Sequence, residues 1–192
     1  MRFFPARTIP EFIANAKANP GRIGMASSGV GSSSHMSGGL FKMMAGVDLV
    51  HVAYRGQASA LTDLLGGQVQ MDFATMPPAI EYIRTGKLRA LAVTGAMRSE
   101  ALPDLPTVGE FLPGYETVLL TGLGAPRNTP AEIIEKVNKE TNNFLADPRM
   151  KARLADLGNT ALFGSSANFG RLLADETVKW ANVIRAAKIK AE

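Results

Sequence analysis

Short apolar runs alternate with helix-spaced stretches along residues 8–94, and glycine or proline closes nearly every one. This alternation restricts the chain to an α/β architecture. A strand that feeds a helix and returns as a strand lies parallel to its predecessor, with the helix on one face of the sheet. Residues 8–18 carry Ile9, Phe12, Ile13 and Ala16 at helical spacing, and Asn19, Pro20 and Gly21 stop the run. Residues 23–26 read as an apolar strand. A Gly/Ser segment over 27–34 then leads into a helix with Met36, Leu40, Met43 and Met44 on its apolar face, ended by Gly46. Residues 49–54, 69–74 and 88–94 read as three further strands. The helices between them span 58–65, closed by Gly66 and Gly67, and run from Pro77 and Pro78 to Gly86.

The pattern changes after Glu100. Proline-rich turns over 102–107 and 111–115 precede a long apolar strand over 118–125, whose Gly122 and Gly124 suit a segment crossing between lobes. Thr129, Pro130, Ala131 and Glu132 predict a capping box with proline in the first turn of a helix that runs to Ala146. Asp147 and Pro148 start another, which Gly158 ends. A closing helix spans 166–188, with Phe169, Leu172, Leu173, Trp180, Val183 and Ile184 facing inward. Two unequal pieces follow: a ligand-binding α/β lobe over 1–116, and a hinge strand with C-terminal helices over 117–192. The second piece has apolar helix stripes and almost no sheet to lay them on, so it reads as an incomplete lobe. Unsatisfied helix faces of this kind predict a homodimer or swapped assembly.

Composition narrows the function classes. Cysteine is absent, which removes disulfides, thiolate chemistry and cysteine zinc sites. With only His35 and His51 available, no metal site is expected, and no cofactor motif is present. Of the nine methionines, Met36, Met43 and Met44 fall on the apolar face of one helix and read as core rather than as soft-metal ligands. The net charge of +4 is a mild bias toward anionic partners. Its basic residues are scattered, which argues against nucleic acid. No apolar run reaches membrane-spanning length, and no signal-peptide pattern is visible where Met1-Arg2-Phe3-Phe4-Pro5 runs into a polar helix signal.

The most informative segment is Ser27-Ser28-Gly29-Val30-Gly31-Ser32-Ser33-Ser34-His35, between a predicted strand and a predicted helix. Amides at a helix N-terminus are unpaired and the helix dipole adds positive potential there. Glycines admit a ligand close to the backbone, and serine hydroxyls donate further bonds. A carboxylate or phosphate would be held with no charged side chain. The same residues read equally as a tight turn whose serines cap the helix. Neither a dinucleotide loop nor a P-loop fits, since Ser34 stands where a third glycine is needed and no Gly-Lys-Ser/Thr follows. His35 reads either as a packed, hydrogen-bonded ring or as a general base paired with a serine and with Asp63 or Asp72. In an open parallel sheet the ligand sits outside the carboxyl ends of the strands. Arg55 stands at one such end, to pair with a carboxylate or to stay solvated. Thr75 stands at another, to donate its hydroxyl or to cap the helix.

These stretches resemble the substrate-binding proteins of tripartite tricarboxylate transporters, the Bug family. The resemblance rests on Lys17-Ala18-Asn19-Pro20-Gly21, the Gly/Ser loop through His35, Val52-Ala53-Tyr54-Arg55-Gly56 and the residues of 61–69, 86–94 and 102–107. It continues through Pro113-Gly114-Tyr115-Glu116, Ala125-Pro126 and Lys179-Trp180, so it covers nearly the whole chain in one order. It implies a type II periplasmic-binding-protein-like fold, here one complete α/β lobe plus an incomplete second one. It also implies a periplasmic solute-binding protein, with a small carboxylate as ligand, membrane transporter subunits as partners and no enzymatic turnover. Carried over residue by residue, the ligand contacts fall on Ser28, Gly29, Gly31, Ser32, Ser33 and Thr75. Ala74 departs from the Asp that relatives often carry, which disfavours an amino-acid ligand, and Leu120 departs from a frequent Trp. The resemblance further implies a longer chain, with a secretion signal and half of the other lobe in front, so that this one reads as N-terminally truncated. Two other readings stay open: a cytoplasmic ligand-sensing domain of the LysR type, which would need a DNA-binding helix-turn-helix in front, and a small serine hydrolase using Ser33 or Ser34 with His35.

Overall fold

A computed structural model describes residues 4–187 and 189. The predicted end of the closing helix at Lys188 lies outside the described residues. Helix α1 (Ile9–Ala18) is capped by the Thr8 hydroxyl, which accepts from the Glu11 amide. Strand β1 (Gly24–Ser27) leads to α2 (Ser33–Ala45), β2 (Val50–Ala53), α3 (Gln57–Gly66), β3 (Met71–Asp72) and α4 (Met76–Arg84). The left-handed Gly46 and Gly67 close α2 and α3, where a side chain would strain the backbone. The sheet is parallel with order β2-β1-β3, so β1 is central.

Strand alternation explains the two faces. Met25 points into a core with Phe12, Leu40, Phe41, Leu49 and Tyr115, supplied by α1, α2 and the later turns. Its neighbour Ala26 points the other way, against Ala60 of α3 and Val69. Phe41 is 1% exposed and its ring meets Phe12, Phe73 and Tyr115 at 5.5–6.2 Å between centroids. Burying a side chain of that size contributes about 2–3 kcal/mol. The Tyr115 hydroxyl donates to the Ser37 carbonyl at 3.0 Å, and the Ser37 hydroxyl donates to Thr117 at 2.8 Å, so these two buried hydroxyls are paired.

Five expectations fail for physical reasons. Residues 88–94 are not a strand: their one ladder pairing is the bridge between Val93 and Thr107. Residues 118–125 are not a strand either, and Leu119 and Leu123 are 60% and 69% exposed. A strand exists only by continued pairing: 88–94 bridges its neighbour at 106–108 through Val93 alone, and among the described residues no strand pairs with 118–125. The capping box at Thr129 does not form. Its hydroxyl donates to the Pro126 carbonyl, and α5 (Ala131–Ala146) starts after Pro130 without a side-chain cap. A capping box forms instead at Thr107 and Glu110, around a short 3₁₀ turn over Val108–Glu110. Helix α6 (Pro148–Asp156) is capped by Asp147 as its sequence indicates. On α7 (Ser166–Ala186) only Val183 is buried. Leu173 and Ile184 are 46% and 40% exposed, because no described sheet lies under that stripe. Met43 of α2 is likewise exposed rather than in the core.

Candidate functional site

Three strands end at one edge of the sheet, and three helices begin there. β1 feeds the 28–32 loop and α2, β2 feeds the 54–56 turn and α3, and β3 feeds residues 73–75 and α4. Three positive helix ends therefore converge around the central strand. The turns touch: the Gly56 amide donates to the Ser28 carbonyl at 3.3 Å, and a Cβ on Gly29 would stand 3.5 Å from the Tyr54 carbonyl. Gly29 and Gly31 both have positive φ, which glycine adopts without strain.

The loop is more self-bonded than a row of free amides. Ser28 N donates to Ser34 Oγ at 2.9 Å, Gly29 N to Ser27 Oγ at 3.3 Å, Gly31 N to His35 Nδ1 at 3.1 Å and Ser32 N to the Gly29 carbonyl at 3.2 Å. The expectation that the amides of Gly29 to Ser33 stand unpaired is corrected accordingly. Among the described residues the unpaired ones are Val30, Ser33 and Ser34, the last two being the first amides of α2. Ser32 caps α2, accepting from His35 N, and its hydroxyl donates to the Gly29 carbonyl at 2.7 Å. Both the turn-and-cap reading and a residual set of free donors thus hold in one loop. Gly31 is exposed and Ser28, Ser32 and Ser33 are half-buried, so the loop opens to solvent. Arg55 is exposed at the neighbouring strand end. Thr75 occupies the cap position of α4 without a side-chain bond to it, which leaves its hydroxyl uncommitted.

His35 does not pair with a serine–carboxylate set. Its ring stacks on His51, 3.7 Å between centroids at 11°, and its Nδ1 takes the Gly31 amide. Burial, then His51, then Lys42 lower it to about 4. Burial and Lys42 lower His51 as well. Asp63 is held by the Tyr54 hydroxyl at 2.8 Å, and Asp72 by Gln57. Ser34 Oγ is occupied by Ser28 N and lies 3.0 Å from Ser32 Oγ. Among the described residues the serine on a histidine ring is Ser27, 2.6 Å from His51 Nε2, and it is fully buried with its hydroxyl also on the Gly29 carbonyl. A substrate has no access to it.

Sequence reasoning gave Gln57 no role, weighed Asp72 only as a carboxylate for His35 and His51 only as a metal ligand, and foresaw none of their actual partners. Asp72 interrupts an otherwise apolar strand, which was the available signal. Gln57 and His51 gave none, because their partners depend on strand register. A cavity of about 270 Å³ is lined by His35, Lys42, His51 and the end of α7, and none of residues 28–32 lines it. Among the described residues no helix is long and apolar enough to cross a membrane, and no group of three or more metal-ligating side chains is gathered.

Comparison with known proteins places these features in a family. The model of the tripartite tricarboxylate transporter family receptor matches residues 2–189. BugT of Bordetella pertussis is 34% identical over 188 residues, covering 95% of this chain and 57% of its own. A UPF0065 protein from the tcbD-tcbE intergenic region of Pseudomonas sp. strain P51 is 34% identical over 187 residues, 96% of this chain and 56% of its own. Among solved structures, R. palustris Rpa4515 with adipate superposes with TM-score 0.92 at 34% identity, over 97% of this chain and 62% of that one. MatC of Rhodopseudomonas palustris with bound malate gives 0.80 at 30% identity, over 94% and 63%. The chain thus spans a little over half the length of the curated relatives it matches.

Proposed function

The chain belongs to the tripartite tricarboxylate transporter receptor family, and from that premise we propose that it serves as the solute-binding part of such a transporter. It captures a small carboxylate-bearing molecule in the periplasm and hands it to membrane subunits without turning it over. Adipate and malate in two structural neighbours support a carboxylate as the ligand class. The observation that carries the reading is the convergence of three helix N-termini at one sheet edge, with free amides at Val30, Ser33 and Ser34. The candidate contacts are Ser28, Gly29, Gly31, Ser32, Ser33, Arg55 and Thr75. The uncommitted Thr75 hydroxyl and the exposed Arg55 favour an anionic group over a neutral one.

All of these donors come from the strand ends of one lobe. Affinity of this chain alone is therefore expected on the order of millimolar, since part of a small acid's polar surface stays in water. Amide NMR with malate, adipate and their neutral diamides tests the reading. Shifts at Val30, Ser33 and Ser34 that saturate with the acids and not with the diamides are expected. Equal shifts with both, or shifts confined to other regions, would overturn it. The LysR-type and hydrolase readings have no comparable support: the serine–histidine contact present is the inaccessible Ser27–His51 pair.

A further inference from the structure

Two buried groups are left out of hydrogen-bonding balance. Gln57, the first residue of α3, donates its Nε2 to Oδ2 of Asp72, the last residue of β3. The remaining oxygen of each, Gln57 Oε1 and Asp72 Oδ1, is buried with no hydrogen-bond partner. Both are pure acceptors while the carboxylate is ionised. A buried acceptor without a donor costs about 1–3 kcal/mol, and an amide and a carboxylate cannot supply each other a second one. A single proton removes the conflict. A carboxylic acid donates through its O–H to the amide oxygen while its other oxygen accepts the amide N–H, so both orphans are met within the pair.

The register explains why the pair lies buried. Asp72 is paired with Ala26, so it points to the α3 side of the sheet, and Gln57 at the start of α3 comes down on it. Among the described residues no ion pair to Asp72 compensates. β1 carries no titratable side chain, and Asp63 of α3 is engaged by Tyr54. Arg55, just before α3, is exposed, and on α4 the charges of Glu81 and Arg84 meet each other at 3.2 Å. Burial pushes Asp72 up to about 6, against the opposing bonds from Gln57 and the Phe73 backbone.

We propose that Asp72 takes up a proton in the folded protein and donates it to Gln57 Oε1, forming an acid–amide clamp that ties the start of α3 to the end of β3. The clamp sets the distance between the turn bearing Arg55 and the turn bearing Thr75, and so acts as a positioning device at this edge of the sheet. It stands independently of what the site binds.

Urea unfolding of the whole chain at pH 5 and 7.5, wild type against Asp72→Asn, tests it. Asparagine supplies the donor permanently, so its pH dependence is the background from all other groups. The folding constant of the wild type is expected to rise about tenfold more than that of Asp72→Asn between pH 7.5 and 5. Identical pH dependence in the two proteins would overturn the proposal. Should Asp72→Asn not fold, carboxyl ¹³C titration of the wild type decides. A midpoint for Asp72 near 6 supports the clamp, and one in the ordinary aspartate range refutes it.

Discussion

A proton on His35 would break one bond and create one repulsion. The ring accepts the Gly31 amide through Nδ1, which protonation forbids, and its face lies on His51. The folded protein therefore prefers neutral His35, lowered to about 4 from an unfolded value of 6.5. The contribution to stability is intact above pH 6.5 and is lost as pH falls toward 4, because the unfolded chain binds the proton first. This runs opposite to Asp72, whose raised value favours the fold as pH falls. Imidazole NMR is expected to find His35 neutral down to about pH 5, and His51→Phe, which keeps a stacking ring and removes the repelling charge, is expected to raise the His35 midpoint. An unchanged midpoint would count against the stacked arrangement. At this scale the sequence was half legible. The Gly/Ser loop announced itself through composition. The His35–His51 stack and the Gln57–Asp72 pair did not, because each joins residues far apart in the chain through packing that no local pattern encodes.

Helix α2 and the loop before it form one element, with Ser32 at the joint. Its hydroxyl caps the helix through His35 N and bonds back to the Gly29 carbonyl. Ser32→Ala removes both, and a loss of about 1 kcal/mol in urea or thermal unfolding is expected. A change below a few tenths of that would mean the cap is dispensable. The helices α1 to α4 and the three strands were readable because their signals are local: apolar spacing, Thr8, Ser32 and Asp147 at helix starts, glycine at helix ends. Residues 88–94 and 118–125 have equally apolar sequences and no strand. Helices satisfy their backbone internally, whereas strands borrow their bonds from a neighbour, so a strand's existence cannot be decided from its own residues. The proline at 130 and the carbonyl of Pro126 likewise competed successfully for Thr129, against a sequence pattern that favours capping.

Over the whole molecule, burial is uneven. Residues 4–117 hold nearly the entire core, whereas Phe144 of α5 is 57% exposed, Val178 of α7 is 65% exposed and Leu123 is 69% exposed. Apolar surface on this scale promotes association. Light scattering is expected to find this chain self-associating at tens of micromolar, on the order of what weak apolar interfaces give. Paired substitutions such as Leu119→Ser with Leu123→Ser are expected to reduce it. A monodisperse monomer would contradict this. Residues 117–192 read as holding one strand, over 118–125, that the structure does not form, and their sequence did not show which of their side chains end up covered, since that depends on surfaces beyond any helix stripe. The bonds that fasten the 28–32 loop to itself carry one more consequence. On the proposed solute-binding reading, a turn already locked in shape has nothing left to organise when a solute arrives. Capture should run close to the encounter rate, similar for one small diacid and the next, and selectivity should reside in how long each stays.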